Sequence, residues 1–329
     1  GWIDDDALGG ESLLELYFID VGQGDGVLVV TPDRRHIVVD GGYEREHLPT
    51  GKNAANLIDW KFYEDYNDYE IDIDAAVATH CDADHYGGLH SLLGTVDADD
   101  LDATDVTIEK FYHPGLGKWD REEGDGVTVG ETAESDGTRY VTELLSDRES
   151  VLEADNRGRL QQRGWWAEFL RAMTHCRTRD GDRTPFERLS QETDFLEGFG
   201  PGNPSDVQIK VLGPIESQVD GRPALEDFGD VSKTVNGHSV VLRLDYGDSR
   251  VLLTGDLNSD SQQALLEHYE HREHVFKCDV AKACHHGSHD ISYEFLEATS
   301  PSVTVVSSGD NESHDHPRPN ALAAYALSG

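Results

Sequence analysis

Residue types that bind metal ions are concentrated in one short segment, Ala78–His90, which reads ATHCDADHYGGLH. The segment follows an apolar run and contains a Gly-Gly pair, so a strand that ends in a turn is expected there. Alternate residues of an extended strand point the same way, so His80 and Asp82 can share one metal ion. The turn that follows can direct Asp84 and His85 toward a second ion. Nitrogen and oxygen donors together suit zinc, manganese or iron. A polar capping loop would explain any one of these residues, but not the cluster of four.

Acidic and imidazole side chains also follow three other apolar runs, each beside glycine. Asp40 ends HIVVD, and Asp256 follows RVLLTG. His285 and His286 follow VAKAC and precede glycine. A buried carboxylate at the end of a strongly apolar strand is costly, so a functional reason for it is expected. The recurrence predicts a site on the rim of a sandwich of sheets.

The elements that must position these residues are short strands followed by helices, twice over. Strands are predicted at LLELYFID, GVLVVT, HIVVD, IDAAVATH and VTIEKFYH, and a helix is predicted over residues 52–66. The pattern returns in DVQIKVLGP, SVVLRLDYG and SRVLLTGD, followed by helices over 259–269 and 291–298. Residues 115–205 are polar, rich in glycine and partly helical, and they predict an insertion. We therefore expect one mixed α/β domain over residues 1–329.

The order of the motifs DGG, THxDxDHxGG, GD and HHGS resembles that of the metallo-β-lactamase superfamily. More narrowly, FIDVGQGDGVLVVTP and KACHHGSHDISYEFL resemble the metallo-β-lactamase-like domain of ComEC, the DNA-uptake channel protein of competent bacteria. The resemblance covers residues 13–113 and 206–320 and leaves the insertion outside. It implies an αβ/βα four-layer sandwich. The motifs are far more specific for this fold than for a substrate.

The resemblance also implies a role for each motif residue. The superfamily usually has histidine where this chain has Asp82, as ComEC-like members do. His285 is favoured as the last histidine ligand and His286 as a neighbouring or substrate-contacting group. In full, the resemblance implies His80 and Asp82 at the first metal ion, Asp84 and His85 at the second, Asp256 as the bridging ligand, and Asp40 as a brace behind the site.

The residue that completes the first metal position is open between two histidines. His238 lies eighteen residues before Asp256, a spacing that the superfamily often shows, and His113 follows its own predicted strand. Lys282 could contact a substrate phosphate or extend along a strand. Asp25, in GQGDG, could be a turn residue and nothing more. His314 and His316, in SHDHPRP, resemble the superfamily's terminal GHP element apart from an extra aspartate, and solvated histidines would explain them equally well.

Two divalent ions, zinc or manganese, would share a bridging hydroxide that attacks a carbonyl carbon or a phosphorus. Asp84 could assist proton transfer, with Lys282 and His286 beside it. The ComEC resemblance implies nucleic acid as the substrate and a phosphodiesterase or nuclease as the activity. The alternatives are a hydrolase of small esters, lactones or phosphoesters, with the insertion as a lid, and a module that binds metal or a partner without catalysis.

The charge of the chain opposes a polyanionic substrate. It has 65 acidic and 27 basic residues, a net charge of −38, spread along its length as in proteins of halophiles. Residues 157–188 reverse this sign locally, with eight arginines against four acids. Trp165, Trp166, Phe169 and Met173 at helical spacing favour a helix docked on the core. For the arginines we expect contacts with nucleic acid, from Arg157, Arg159, Arg163, Arg171 and Arg177.

The remaining composition bears on the setting of the protein. The four cysteines form no CxxC pair, which predicts a reducing, cytoplasmic environment without a disulfide framework. No apolar run reaches about 18 residues, so no membrane contact is expected from this segment. The only methionine is Met173, so the chain could be the soluble domain of a longer membrane protein. The oligomeric state is left open.

Overall fold

The computed structural model describes residues 13–94, 98–121, 126–158, 160, 165–309 and 315–328. Arg159, Arg163 and His314 lie outside these ranges. The helices of the described residues are α1 (Ala54–Trp60), α2 (Ala83–Leu93), α3 (Arg148–Asn156), α4 (Trp165–His175), α5 (Val231–Gly237), α6 (Ser259–His268), α7 (Tyr293–Thr299) and α8 (Pro319–Ser328).

The strands are short, as the closely spaced apolar runs predict. They are β1 (Glu15–Phe18), β2 (Gly26–Val30), β3 (His36–Asp40), β4 (Glu70–Ile73), β5 (Ala75–Val77), β6 (Asp105–Ile108), β7 (Phe111–His113), β8 (Trp119–Asp120), β9 (Val127–Thr128), β10 (Thr132–Ser135), β11 (Thr138–Val141), β12 (Phe186–Arg188), β13 (Gln208–Gly213), β14 (Glu216–Val219), β15 (Arg222–Glu226), β16 (Val241–Tyr246), β17 (Ser249–Leu253), β18 (Val280–Lys282) and β19 (Val303–Val305).

Two main sheets have the same construction. The first has the order β1-β2-β3-β5-β7-β12 and the second β13-β16-β17-β18-β19. Each begins with antiparallel neighbours and continues with parallel ones. Parallel neighbours need a crossover connection, and α2, α6 and α7 lie in such connections. The carboxyl ends of the parallel strands lie at one edge of each sheet.

Apolar side chains divide the molecule into four layers. One core lies between the sheets, where Val29 and Val39 of the first pack with Leu242 and Leu253 of the second. A second core covers the outer face of the first sheet with α1, α2 and α4. A third covers the outer face of the second sheet with α6 and α7. Strands buried on both faces are therefore continuous apolar runs, as in β2 and β3. The predicted αβ/βα sandwich is confirmed.

Residues 115–205 pack closely with the rest of the fold. Strand β12 extends the first sheet beside β7, and β11 joins a four-stranded sheet with β14 and β15. Helix α4 buries Trp166, Phe169 and Met173 in the core beside α2. The interpretation that these aromatic residues dock a helix is confirmed.

In the described ranges, every helix is too short or too polar to cross a lipid bilayer.

Replacing Phe169 with alanine is expected to destabilise the fold strongly. Its ring is fully buried and lies 5.3–5.5 Å from the rings of Tyr86, Trp166 and Phe111. Deleting it should lower the free energy of unfolding by about 3–5 kcal/mol. Urea unfolding in concentrated KCl measures this. The matched control is Tyr293→Ala, because Tyr293 is 60% exposed, and a change within about 0.5 kcal/mol is expected there. Equal losses in both variants would contradict the packing described.

Candidate metal centre

The candidate site lies where strands of both sheets end. Its members come from strand ends, loops and helix starts next to the strands, so the sheets fix their positions and the loops aim their side chains. They are Asp25 before β2, Asp40 at the end of β3, His80 and Asp82 after β5, Asp84 and His85 in the first turn of α2, Asp256 after β17, and His285 and His286 after β18.

His85 lies at the centre of the cluster and is fully buried. Its Nδ1 lies 2.8 Å from Oδ2 of Asp40, and its Nε2 lies 3.3 Å from Oδ1 of Asp256. The Nε2 atoms of His85 and His286 are also 3.3 Å apart. With Nδ1 donating to Asp40, the His85 tautomer leaves Nε2 to face the cluster, as a metal ligand requires.

His286 completes the cluster from the opposite sheet. Its Nε2 lies 3.1 Å from Oδ2 of Asp256 and 3.4 Å from Oδ2 of Asp84. Its Nδ1 lies 3.0 Å from the carbonyl oxygen of Ser307, which accepts a hydrogen bond and turns Nε2 inward. Asp25, His85, Asp256 and His286 each bring a ligand atom within 4.8 Å of all the others. This arrangement of nitrogen and oxygen donors can hold a divalent ion.

The turn that carries His285 and His286 is conformationally strained. Both residues have positive φ, 45° and 54°, where residues other than glycine are uncommon. Strain of this kind costs about 1–3 kcal/mol per residue and is concentrated at functional sites. Its effect here is to send the two neighbouring rings in different directions.

The structure reverses the roles favoured from sequence for these two histidines. His286 is buried and contacts Asp84 and Asp256, whereas the Nε2 of His285 is 3.8 Å from Asp256 and its side chain is 27% exposed. The backbone conformation decides this order, and no motif spacing shows it. The ring of His316 lies 5.5 Å from that of His285, at the open side of the site.

Asp40 and Thr79 support the cluster from behind. The backbone N–H and the hydroxyl of Thr79 donate to the two carboxylate oxygens of Asp40, at 2.8 and 2.6 Å. Asp40 has φ of +57°, so its side chain turns back from the strand end toward His85. These contacts agree with the bracing role implied for Asp40, which stays a prediction, and Thr79 is a partner that sequence reasoning did not identify.

Asp25 and Lys282 form a buried ion pair beneath the cluster. The Lys282 ammonium contacts Asp25, donates to the carbonyl oxygen of Gly255 at 3.0 Å, and lies 3.6 Å from Oδ1 of Asp256. Oδ1 of Asp25 lies 3.4 Å from Nδ1 of His286. Lys282 is therefore placed under the cluster and is not open to a substrate. Asp25 is therefore more than a turn residue, and an aspartate between glycines at a strand start is the sequence signal for it.

The charges of the cluster compensate one another. Burial alone would lower the pKa of His85, but Asp256 and Asp40 raise it well above its ordinary value. Burial alone would raise the pKa of Asp256, but His286 and His85 hold it well below its ordinary value. Protons on imidazole thus balance the buried carboxylates, and a divalent cation can replace those protons.

His80 and Asp82 lie beside this cluster. Nε2 of His80 is buried without a hydrogen-bond partner and lies 3.9 Å from Oδ2 of Asp82. Burial and then the charge of His85 lower the pKa of His80 to about 4, so the imidazole is neutral, as a ligand must be. Buried acceptor atoms without a hydrogen-bond partner also include Oδ1 of Asp25 and Oδ1 of Asp256. These atoms fit a bound cation.

Neither histidine proposed to complete the first metal position is turned toward it. Nε2 of His238 donates to the carbonyl oxygen of Glu226 at 2.6 Å, and its ring stacks on Phe228 at 4.8 Å. Nδ1 of His113 accepts from the backbone of Gly115 at 3.1 Å. Among the described residues, neither histidine has a hydrogen bond, ion pair or ring contact with the cluster. Each lies in its own core pocket, which the periodicity of the sequence does not distinguish from a metal site.

The described arginines proposed to contact nucleic acid have partners within the protein. Arg157 pairs with Glu153, and Nε of Arg171 donates to Asp155 at 2.8 Å. Arg177 donates to the carbonyl oxygen of Gly181 at 2.6 Å.

Known proteins resemble this chain in sequence over part of its length. No protein-family model matches the chain. It is 32% identical over 118 residues to ComE operon protein 3 of Bacillus subtilis, which covers 36% of this chain and 13% of that protein. It is 37% identical over 83 residues to competence protein ComA of Neisseria gonorrhoeae, which covers 25% and 12%. The chain thus matches well under two thirds of the length of these relatives.

Solved structures align along nearly all of the chain. The metallo-β-lactamase fold protein YhfI of Bacillus subtilis has a TM-score of 0.41 and 11% identity over 96% of this chain and 95% of its own. The Rm3 metallo-β-lactamase has a TM-score of 0.36 and 13% identity over 96% and 89%.

The protein is an αβ/βα sandwich with a His/Asp cluster that can hold a divalent metal ion. Its sequence is similar to those of competence proteins, and the predicted resemblance is confirmed.

Replacing His286 with alanine should weaken metal binding far more than replacing His285. Loss of an outer partner of a metal ligand typically costs about 10–100-fold in affinity, and loss of a ligand should cost more than that. We expect His286→Ala to weaken binding of Mn²⁺ or Zn²⁺ by more than about 100-fold and His285→Ala by less than about 10-fold. Calorimetric titration measures both. A larger effect of His285→Ala would restore the order favoured from sequence.

Acid should destabilise the protein partly through His113. Burial lowers the pKa of His113 from 6.5 to about 3, so the unfolded chain binds a proton that the folded one does not. This contribution to stability is present above pH 6.5 and is lost as the pH falls from there toward 3. We expect His113→Asn to reduce the slope of stability against pH between 6.5 and 4 by up to about 1.4 kcal/mol per pH unit. Urea unfolding at several pH values measures the slope. Unchanged slopes would contradict the prediction.

Proposed function

We propose that the protein is a metal-dependent phosphodiesterase that cleaves nucleic acid. The observation that carries the proposal is the buried cluster of Asp84, His85, Asp256 and His286, whose ligand atoms converge at the strand ends of both sheets. The similarity to competence proteins supports nucleic acid as the substrate class. The proposed domain is residues 1–329, with 115–205 as an elaboration of the fold.

The metal is proposed to be zinc or manganese, since imidazole and carboxylate donors suit both. His85, Asp256 and His286 would hold one ion together with Asp84, which contacts His286 and takes the place of Asp25 because Lys282 already engages Asp25. The resemblance implies a second ion at His80 and Asp82, but Asp82 is already paired with Lys118, so the proposed function rests on the first of these ions alone. When bound, such ions make water a stronger acid and stabilise negative charge on phosphate oxygens.

Residues of the chain orient the ligand histidines and supply a proton acceptor. Asp40 holds the His85 ring, and the carbonyl oxygen of Ser307 holds the His286 ring. The Asp84 carboxylate is the member of the cluster nearest the solvent, with a 16% exposed side chain. Burial would raise the pKa of Asp84, but the hydrogen bond from His286 and the charge of His85 lower it below its ordinary range. Asp84 is therefore ionised and is proposed to accept the proton of the attacking water.

Binding of a polyanion by a chain of net charge −38 needs a physical explanation. We propose that the protein is halophilic, because the Debye length falls to about 3 Å in molar salt and distant carboxylates then hardly repel a phosphate. The described arginines of residues 157–188 are partnered within the protein. A phosphate that binds to them must therefore compete with those partners. Contacts at the mouth of the site are proposed to carry more of the binding.

A hydrolase of small phosphoesters or esters is the second candidate. Lys118, at the start of the 115–205 segment, contacts Asp82 at the site, so this segment reaches the place where a lid over a small substrate would lie. Turnover of small esters together with inactivity on polymers would favour this candidate.

The decisive assay compares the wild type with Asp84→Asn on single- and double-stranded DNA and RNA, in concentrated KCl with Mn²⁺ or Zn²⁺. Loss of the proton acceptor should lower cleavage by about 10²–10⁴-fold. Asp136→Asn is the matched control, because Asp136 is exposed in the β10–β11 turn with φ of 51°, which asparagine tolerates. Cleavage of no polymer by wild-type protein that holds metal would overturn the proposal. Equal cleavage by wild type and Asp84→Asn would remove Asp84 from the reaction.

A further inference from the structure

The carboxylate of Asp82 is already occupied by donors of the protein itself. The Lys118 ammonium forms an ion pair with Oδ1 of Asp82. With its amide nitrogen facing Asp82, Asn236 donates to Oδ2 at 3.0 Å. Asp82 is the residue that stands where the resembled superfamily usually has histidine. Its two oxygens are thus engaged on the side where a metal ligand would be needed.

The two metal positions implied by the resemblance differ sharply in their ligands. Around the second, atoms of His85, Asp256 and His286 lie 3.1–3.3 Å from one another, and Oδ2 of Asp84 lies 3.4 Å from Nε2 of His286. The oxygens of Asp256 face the rings of this same position, with Oδ1 3.3 Å from His85 and Oδ2 3.1 Å from His286.

At the first position, His80 is the histidine whose open Nε2 lies beside Asp82, at 3.9 Å. The two histidines that could have completed it, His238 and His113, are turned into other pockets. Catalytic zinc sites usually have three protein ligands, so a single imidazole and an engaged carboxylate do not make a comparable site.

The positive charge of Lys118 also disfavours a metal ion at the first position. An ammonium in contact with Asp82 neutralises the carboxylate that would attract a cation, and it repels a divalent ion placed beside it. We propose that the ammonium of Lys118 takes the place of the second metal ion, so that the centre holds one divalent ion, at the position of Asp84, His85, Asp256 and His286. The proposal rests on the proposed function for the presence of that one ion.

This arrangement gives Lys118 a role toward the substrate. The Lys118 side chain is 26% exposed and Asp82 23%, whereas His80, His85 and His286 are almost fully buried. The pair of Lys118 and Asp82 therefore lies at the open side of the site, where the ammonium is proposed to donate a further hydrogen bond to a phosphate oxygen and so to bring its charge to the substrate. A chain segment that lies outside the family resemblance supplies this charge.

The test is the number of ions bound per chain, measured by elemental analysis and by electron paramagnetic resonance of the Mn²⁺-loaded protein. Wild type should hold one ion per chain and show the spectrum of isolated Mn²⁺. Lys118→Met keeps the length of the side chain and removes its charge, so Asp82 is released and a second, spin-coupled ion should bind. Lys110→Met is the matched control, because Lys110 pairs with Glu187 and Glu197 away from the site.

A second variant covers the case in which Lys118→Met fails to fold. Asp82→Asn should leave one ion bound with an affinity close to that of wild type, since Asp82 is not a ligand in the proposed centre. Two ions in wild type, or loss of an ion in Asp82→Asn, would overturn the proposal and leave the phosphodiesterase intact. One ion in folded Lys118→Met would also overturn it. No bound ion in wild type would overturn both proposals.

Discussion

The compensation of charge among buried carboxylates is the constraint on which the site depends. Asp25, Asp40 and Asp256 are almost fully buried, and Asp84 is mostly so. Moving such charges out of water costs several kcal/mol each unless partners are close. The partners are Lys282 and the rings of His85 and His286, which come from two segments, one at the carboxyl end of a strand of each main sheet. The cluster is therefore stable only when both sheets are assembled, and the fold and the site form together.

The four-layer packing explains why the cluster can be held closely. Loops that follow buried strands are anchored by the cores on both sides of each sheet, so their side chains have little freedom. Residues with positive φ, Asp40, His285 and His286, stand at the ends of such strands, and the surrounding structure maintains their strain. The buried pair of Asp25 and Lys282 lies below and gives the carboxylates a permanent cation. Metal binding then replaces protons on imidazole in a frame that is already built.

The buried side and the open side of the site differ in their balance of charge. On the buried side, carboxylates and imidazoles outnumber the protein's own cations, which favours an added ion. On the open side, Lys118 and Asn236 already satisfy Asp82, so the charge is closer to balance. The resemblance read from the sequence lies in the strand-end motifs, whereas Lys118 comes from the segment between them. Differences in substrate among chains with this fold are expected to arise from such segments.

The sequence by itself determined the sandwich, the strand ends that carry the site and the residue types His80, Asp84, His85 and Asp256, because apolar runs with polar ends are local patterns that read directly as buried strands. The tertiary structure alone decided the rest. His286 rather than His285 enters the cluster because the turn is left-handed there, and His238 and His113 are excluded because each ring has its own pocket. Asp25 and Lys118 join the site from segments distant along the chain. Such contacts depend on how separate elements pack, and no pattern within one element encodes that.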